Sequence, residues 1–339
     1  MRSELIHKIF SMSGAGDDLV LDVFRYQYEN NDVYKGFSDA IGLTPRNVKD
    51  ITGIPFLPIR FFKSHAVQTG KYEPEEWFES SGTTGTINSQ HLVRSLDLYR
   101  KSFTEGFRCF YGEPRDWCII GLLPAYLERQ HSSLVVMVDE LIKLTGHPDS
   151  GFYLYDYGKL ADTLGRLEGS GQKTLLIGVT FALLDFAEQF PMPLRHTTVM
   201  ETGGMKGRRR EITRSELHDV LAGAFNGASI HSEYGMTELL SQAYSGDNGL
   251  FYCPPWMKVL LREEDDPLTI VAQSSPVGCH PTGGTRRVNG VINVIDLANI
   301  DSCSFIATDD MGKMDTDGGF EVLGRVDNSD IRGCSLMTI

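Results

Sequence analysis

The middle of the chain alternates between short apolar runs and amphipathic segments. The apolar runs predict strands at 118–123, 152–155, 173–179 and 197–201, and from Ala228 to the turn at Tyr234-Gly235. The segments between them have apolar residues at helical spacing and predict helices at 132–144, 157–169, 180–190 and 211–225. Such alternation is typical of mostly parallel sheets flanked by helices, with ligands bound beyond the carboxyl ends of the strands. The pattern therefore predicts an α/β fold.

Different patterns lie on either side of this alternation. On the N-terminal side the sequence predicts a helix at 17–37, extended chain through the prolines of 54–63, a strand at 77–80 and a helix at 92–110. Beyond Tyr252, short strands separated by turns are predicted at 258–262, 268–272, 291–295, 304–307 and 320–323. We therefore expect two domains, an α/β core at 1–250 and a smaller β-rich C-terminal lobe at 251–339.

The charge and composition of the chain argue against several kinds of partner. The 339 residues carry a formal net charge of −13, so nucleic acids and anionic membrane surfaces would repel the protein. The sequence has no apolar run long enough to span a bilayer, and its first residues do not begin a signal peptide. The six cysteines are scattered without a CxxC pair, which is typical of free thiols. We expect a cytoplasmic protein with no membrane span and no nucleic-acid partner.

A run of hydroxyl residues and glycines overlaps the end of the strand predicted at 77–80. It comprises Ser80, Ser81, Gly82, Thr83, Thr84 and Gly85. Its glycines can adopt positive φ angles, which lets consecutive N–H groups converge into a nest that suits a polyphosphate. The run is not a Walker loop, because Thr86 stands where that motif requires lysine. On its own such a run is more typical of a solvent-exposed turn. Three later segments favour the phosphate nest.

These segments carry groups that suit the other parts of a nucleotide. The first, Tyr234-Gly235-Met236-Thr237-Glu238, offers a flat ring for a base, close backbone approach at its glycine and a carboxylate for Mg²⁺. In the second, 307–312, an aspartate at a strand end could bind the ribose hydroxyls, and in the third, 324–334, Arg325 could bind a phosphate or ribose. Simpler explanations are a helix start capped by Thr237, a hairpin turn at Asp309-Asp310 and a surface ion pair of Arg325. The order of the segments behind 80–85 favours a nucleotide site.

With these motifs the chain resembles the adenylate-forming superfamily, whose members make acyl-AMP from a carboxylic acid and ATP. The motifs that match are SSGTTG (80–85), YGMTE (234–238), TDDMG (308–312) and GRVD (324–327). Within the superfamily, the sequence is most similar to the acyl-protein synthetases of bacterial luminescence and more distantly similar to the phenylacetate–CoA ligases. The first of these similarities also covers 58–65, 89–91, 201–206 and 332–336.

The resemblance implies a role for each matching residue. The β- and γ-phosphates would be held by Ser81, Thr83 and Thr84 of the loop. Glu238 would bind Mg²⁺ with Thr84 nearby, and Asp310 would bind the ribose. Tyr234 would stack on the adenine, with Gly203 and Gly204 beside it, and His231 would lie near the carboxylate of the acid. The lobe at 251–339 would complete the nucleotide site.

The sequence departs from the superfamily pattern in two places. The usual loop continues with proline and lysine, whereas this one continues with Thr86-Ile87-Asn88. Full-length members carry a further lid domain after the hinge that supplies a catalytic lysine, whereas this chain ends at Ile339. The chain would then activate acids without that lysine, use another basic group such as Lys63, Lys206 or Arg325, or have lost activity. The luminescence synthetases are similarly short, so the length fits that branch.

The function that the resemblance implies is activation of a fatty or other carboxylic acid with ATP and Mg²⁺, followed by transfer to a thiol. The acceptor could be coenzyme A, an acyl carrier protein, or Cys334 of the chain itself with an acyl reductase as the next partner. Cys334 is favoured because Arg332 would stabilise its thiolate and Gly333 leaves the backbone free to move. The alternative is a non-catalytic protein that has kept the nucleotide pocket and docks to a partner.

Three further groups have open interpretations. His65 and His91 could each orient a carboxylate or merely cap local backbone. The basic run of Lys206 and 208–210 is typical of a solvated face, although it could also receive a carrier protein.

Overall fold

Helices and strands follow one another along the residues that the computed structural model describes, which are 1–11, 16–80, 87–123, 131–203, 212–274, 288–315 and 317–326. The helices α1 to α9 lie at Arg2–Ile9, Asp17–Asn30, Asp32–Ala40, Phe61–Ser64, Leu96–Tyr111, Ser133–Thr145, Tyr157–Ser170, Thr180–Gln189 and Arg214–Ala224. The strands β1 to β15 lie at Leu57–Pro58, Glu76–Glu79, Gln90–Val93, Cys118–Leu122, Gly151–Phe152, Thr174–Gly178, Thr197–Glu201, Ser229–Tyr234, Ala243–Ser245, Phe251–Tyr252, Met257–Arg262, Ile270–Gln273, Val288–Asp296, Phe305–Met314 and Phe320–Arg325. Within these residues no helix has the length and hydrophobicity needed to cross a membrane.

The predicted alternation of strands and helices is confirmed from β4 to β8, and three details on the N-terminal side were wrong. The helix predicted at 17–37 is two helices, because Asn31 ends α2 and caps α3 by accepting a hydrogen bond from the Tyr34 amide. Residues 61–64 form the short helix α4 instead of extended chain. The helix predicted at 92–110 begins only at Leu96, because residues 90–93 pair with β2 as strand β3.

The chain divides into two compact units, each assembled from segments that are distant in sequence. The described part of unit 1 comes from 1–103, 235–243 and 252–326, and that of unit 2 from 104–234 and 244–251. The two units are described separately below.

Unit 2 contains a parallel sheet with the strand order β8-β7-β6-β4-β5. Every residue of β4 and β6 is buried, which explains why these strands read as continuous apolar runs. Helix α6 packs against β4, and α9 packs against β8. Since β7 and β8 are neighbours, their carboxyl ends place Glu201 and Ser232 side by side in the sheet.

Unit 1 contains the β-rich part of the chain, which confirms the predicted fold class. Its antiparallel sheet has the order β12-β11-β13-β14-β15, and the N-terminal strand β1 adds to β14 in parallel. A separate hairpin of β2 and β3 flanks the loop that contains 80–85. In the core, the ring of Tyr34 stacks on Phe305 with 5.8 Å between centroids.

A buried turn at 296–304 is fixed within unit 1 by side chains from the N-terminal helices. Gln27 of α2 is fully buried; its Nε2 donates to the carbonyl of Asn299 at 3.0 Å, and its Oε1 accepts from the amide of Ser304 at 2.8 Å. Arg2 of α1 forms a bidentate ion pair with Asp301, with both N–O distances at 2.6 Å. These contacts fix the turn, because a buried polar group keeps the position in which its hydrogen bonds are made.

Candidate active site

The segment that contains Glu238 is held in unit 1 by three buried side chains. His91 Nδ1 lies 2.8 Å from the carbonyl oxygen of Thr237. The amide of Asn299 donates to the carbonyl of Glu238 at 2.7 Å. The carboxylate of Asp296 accepts from the amides of Leu240 and Ser241 at 2.8 and 2.9 Å. The side chain of Glu238 is itself buried. The backbone on both sides of the predicted Mg²⁺ ligand is therefore fixed.

Asp296 is a buried carboxylate that sequence reasoning did not single out. It also accepts from the hydroxyl of Ser241 at 2.6 Å and from the amide of Ala298 at 3.1 Å. Burial raises the pKa of Asp296, while the hydrogen bonds from Ser241, Leu240 and Ala298 act in the opposite direction. A signal was present in the sequence, because an aspartate within the apolar run 294–298 must find buried hydrogen-bond donors.

The sequence left open whether His91 orients a carboxylate or binds backbone, and in the structure its side chain binds backbone. Because a carbonyl oxygen can only accept, Nδ1 of the imidazole is the donor to Thr237. The rings of Phe62 and Phe78 pack against the imidazole ring, with centroid distances of 5.9 and 6.4 Å. Burial lowers the pKa of His91, so the ring is neutral at physiological pH. His65, in contrast, makes local contacts, stacking on Phe61 at 5.0 Å.

Asp310 and Arg325 face each other across β14 and β15. They are register partners, and Arg325 Nε lies 3.3 Å from Asp310 Oδ1. Both side chains are largely buried, whereas the neighbouring Asp309 pairs with the exposed Arg60 at 3.5 Å. The predicted ribose ligand and the predicted basic group are thus in one ion pair.

A third arginine fixes the strand at this point. Arg262 donates to the carbonyl of Thr308 at 2.7 Å and to the carbonyl of Ile292 at 3.0 Å. Burial lowers the pKa of Arg262 to about 10, opposed by the charges of Asp309 and Asp310. The guanidinium therefore stays charged at neutral pH and holds β14 against β13.

In unit 2, a buried glutamate shapes the turn that contains Gly203. The carboxylate of Glu201 accepts from the Gly203 amide at 2.8 Å and from Arg214 Nε at 3.2 Å. Gly203 has a φ angle of 71°, in the left-handed region that favours glycine. The sequence predicted Gly203 beside the adenine, but it did not predict that the preceding glutamate holds the turn.

His231 lies on β8 of unit 2 with a tyrosine hydroxyl against its ring. The hydroxyl of Tyr111 is 3.0 Å from Nδ1, and Asp247 Oδ1 is 4.0 Å from Nε2. Burial lowers the pKa of His231, and the charge of Asp247 opposes that effect. The imidazole is therefore neutral at physiological pH, a form that can donate one hydrogen bond to a carboxylate.

Glu233 shares the strand face of His231 and is a second acid that sequence reasoning missed. Burial, with a further contribution from the charge of Glu201, raises its pKa to about 8. The carboxyl group is thus protonated over much of the neutral range. No local pattern in the sequence distinguishes this glutamate from a surface residue.

The remaining predicted residues fall into two groups. The ring of Tyr234 is buried, and its centroid lies 5.9 Å from that of Phe251. The hydroxyl of Ser80 accepts a hydrogen bond from the Ser89 amide at 2.9 Å, which joins the residues on either side of 81–86. Gly235 and Met236 begin the turn that Thr237 and Glu238 continue, with the Leu239 amide bonded to the Met236 carbonyl at 3.0 Å. The predicted residues outside the described part of the chain are Ser81, Gly82, Thr83, Thr84, Gly85, Gly204, Lys206 and Cys334.

The donor set described in unit 1 fits a magnesium nucleotide. Carboxylate oxygens are the ligands that Mg²⁺ prefers, and it is usually held by one or two of them together with substrate phosphates. Glu238 supplies such a ligand on a fixed backbone. The described residues contain no cluster of three or more His, Cys, Asp or Glu side chains that could hold a metal by themselves.

In sequence, the chain is similar to ligases of two bacteria. The chain is 25% identical over 342 residues to a long-chain-fatty-acid–luciferin-component ligase of Vibrio harveyi, covering 94% of this chain and 85% of that protein. A ligase of the same name from Photorhabdus luminescens is 37% identical over 68 residues, covering 20% of this chain and 58% of that protein. No family model matches the sequence.

A solved structure shares the fold. An open conformation of 2-hydroxyisobutyryl-CoA ligase, in complex with 2-HIB-AMP and CoA, superposes with a TM-score of 0.61 at 12% identity. The match covers 92% of this chain and 70% of that protein. A luciferase-like enzyme from the mealworm Zophobas morio gives a TM-score of 0.50 at 17% identity, over 79% of this chain and 61% of that protein.

The fold is therefore shared with 2-hydroxyisobutyryl-CoA ligase, and the similarity to the luminescence synthetases predicted from the sequence motifs is confirmed. In sequence, the chain is similar over nearly its whole length to the long-chain-fatty-acid–luciferin-component ligase of Vibrio harveyi.

Proposed function

We propose that this protein activates a carboxylic acid as acyl-AMP and transfers the acyl group to a thiol, with long-chain fatty acids as the first substrates to test. The observation that carries the proposal is the sequence similarity to a long-chain-fatty-acid ligase over 94% of the chain. Two observations support it: Asn299 fixes the backbone of Glu238, the proposed Mg²⁺ ligand, and Arg325 pairs with Asp310, the proposed ribose ligand.

In the first step, a carboxylate oxygen of the acid attacks the α-phosphorus of ATP. An oxygen–phosphorus bond forms, the bond to the leaving pyrophosphate breaks, and acyl-AMP results. Bound Mg²⁺ would neutralise the charge that develops on the phosphate oxygens. Glu238 would hold this ion with Thr84, while Ser81 and Thr83 donate hydrogen bonds to the phosphates.

Other residues would orient the two substrates. Asp310 would accept hydrogen bonds from the ribose, and the ring of Tyr234 would stack on the adenine beside Gly203. His231, neutral and with Nδ1 at the hydroxyl of Tyr111, would donate to the carboxylate of the acid. Lys206 or Arg325 would supply the positive charge that a lysine supplies in other members of the superfamily.

In the second step, a thiolate attacks the carbonyl carbon of acyl-AMP. A carbon–sulfur bond forms, the bond to the phosphate oxygen breaks, AMP leaves, and the thiol proton passes to solvent. Activated thiols have a lowered pKa, whereas burial raises the pKa of Cys118 to about 11 and that of Cys303 to about 12. Cys109 and Cys253, the other cysteines in the described residues, also have raised pKa values. We therefore favour Cys334, which the sequence resemblance singles out, a carrier protein or CoA as the acceptor.

The test is exchange of labelled pyrophosphate into ATP, measured with purified protein, Mg²⁺ and a series of fatty acids. We expect exchange that depends on both the acid and the metal. Calorimetric titration with MgATP serves as the control, because it reports nucleotide binding without chemistry. Binding of MgATP with no exchange for any acid would refute the proposed activity and favour a non-catalytic nucleotide-binding protein.

A further inference from the structure

The strand that follows the predicted phosphate loop makes a direct contact with the predicted metal segment. Strand β3 begins at Gln90, just beyond the loop, and its second residue, His91, donates from Nδ1 to the carbonyl of Thr237 at 2.8 Å. Thr237 is joined by a peptide bond to Glu238. The contact lies entirely within unit 1 and joins residues 146 positions apart in the sequence.

We propose that His91 is a positioning residue that links strand β3, which follows the phosphate loop, to Glu238. The link would keep the nucleotide phosphates and Mg²⁺ in a fixed position relative to each other. The inference rests on the proposed function, because it assigns to Glu238 the metal and to 81–85 the phosphates. His91 touches neither substrate nor metal. It acts through the backbone of Thr237.

Three features of His91 suit this role. The imidazole is fully buried, so no water competes for its hydrogen bond. The rings of Phe62 and Phe78, nearly perpendicular to it at 88° and 70°, hold its orientation. It is neutral, and the carbonyl requires the donor at Nδ1, so a single tautomer meets the geometry.

Contacts from Asp296 and Asn299 to this segment come from a different part of unit 1. Asp296 and Asn299 lie at the turn that α2 anchors, and they hold Glu238, Leu240 and Ser241. Removal of His91 therefore leaves the segment attached to this turn. We expect the fold to survive while the distance between the loop strand and Glu238 becomes less well defined.

A matched pair of variants separates the coupling from simple packing. His91→Leu keeps an apolar side chain of useful volume and removes the donor, whereas His91→Asn keeps an amide donor near the position of Nδ1. We measure MgATP binding by calorimetry at a series of Mg²⁺ concentrations, and then the Mg²⁺ and fatty-acid dependence of pyrophosphate exchange.

In His91→Leu we expect the half-saturating Mg²⁺ concentration to rise about tenfold, the effect of losing one buried hydrogen bond. The half-saturating fatty-acid concentration should stay within about twofold of wild type. His91→Asn should recover most of the metal affinity, although both variants lose some thermal stability. A structural role alone would lower the melting temperature without moving the metal dependence.

Equal Mg²⁺ dependence in His91→Leu, His91→Asn and wild type would overturn the inference. If wild type binds MgATP but shows no exchange, the proposed function fails, and the calorimetric comparison still decides the role of His91. If His91→Leu does not fold, the nitrogen chemical shifts of the wild-type imidazole give a second test. Protonation at Nε2 instead of Nδ1 would contradict the donor role.

Discussion

Arg325 Nε lies 3.3 Å from Asp310 Oδ1, and the two residues are register partners across β14 and β15. The predicted ribose ligand is therefore paired with an arginine of the same sheet. Its neighbour Asp309 points to the other face of β14, toward Arg60. Adjacent aspartates in one strand thus have different environments, and this difference can be tested.

Asp310→Ala should weaken MgATP binding by about 1.5–3 kcal/mol, because hydrogen bonds to a charged group are lost. Calorimetric titration measures the change. Asp309→Ala is the matched control and should bind MgATP like wild type, since an exposed ion pair contributes little. If the two variants showed the same affinity, the assignment of the ribose to Asp310 would be wrong.

Thr84→Val should abolish pyrophosphate exchange without unfolding the protein. The substitution is nearly isosteric and removes the hydroxyl predicted to bind phosphate or Mg²⁺. Circular dichroism checks the fold, and Thr86→Val, outside the six-residue motif at 80–85, is the control that should keep activity. Wild-type exchange in the Thr84 variant would remove the loop from the nucleotide site.

Cys334 should carry the acyl group as a thioester after incubation with ATP, Mg²⁺ and a labelled fatty acid. The adduct should be released by hydroxylamine and be absent from Cys334→Ser. Cys279→Ser is the matched control, because it too removes a cysteine that lies outside the described residues. Label that persists in Cys334→Ser would transfer the role to another cysteine. Exchange without any labelled protein would point to CoA or a carrier protein.

Asp296→Ala should lower the free energy of unfolding by about 2–5 kcal/mol, because buried amides of Leu240, Ser241 and Ala298 lose their acceptor. Denaturation in urea measures the loss. Ser241→Ala removes only one donor to the same carboxylate and should cost about 1 kcal/mol. Equal effects of the two substitutions would show that the amide hydrogen bonds do not stabilise the segment.

Glu233→Gln should change how stability depends on pH. The folded pKa of Glu233, raised to about 8 by burial and by Glu201, lies above the ordinary value of 4.5, so the native state holds a proton that the unfolded state releases between these values. The contribution of Glu233 is full below pH 4.5 and is lost as the pH rises through 8. The difference between these two pKa values corresponds to about 5 kcal/mol of folding free energy lost across that pH range.

Glutamine carries no proton to lose, so the variant should be more stable than wild type at pH 9 and should show a flatter profile from pH 5 to 8. Urea denaturation at several pH values gives both profiles. Glu263→Gln, at an exposed position, should follow the wild-type curve. Parallel curves for wild type and Glu233→Gln would mean that Glu233 is ionised in the native state.

The regular part of the fold could be predicted from the sequence because it depends on local periodicity. Strands β4 and β6 are buried over their whole length, and the bounds of β4, β6 and β7 were predicted to within one residue. Strand β3 was missed, because four residues beside a long helix carry too short a pattern to separate from it. Its partner β2 decides its conformation through hydrogen bonds that the local pattern does not encode.

The residues of the candidate site also differ in whether the sequence could predict them. Glu238, Asp310 and Arg325 were found because they belong to ordered motifs. Asp296 and His91 were not assigned their contacts, because each holds a segment that is distant in sequence. Two buried acids, Asp296 and Glu201, could have been suspected from their places within apolar runs, since buried carboxylates need donors. The choice of donor required the structure.

The discontinuous origin of unit 1 has a consequence for protein synthesis. Strand β1 pairs with β14, and Gln27 reaches the turn at 299–304, so the first hundred residues leave the ribosome long before their partners exist. The uninterrupted stretch 104–234 of unit 2 is complete earlier and can fold first. During that interval the apolar faces of α2 and α3 are without their native cover. The nascent chain is therefore exposed to chaperones and to aggregation until β14 emerges from the ribosome.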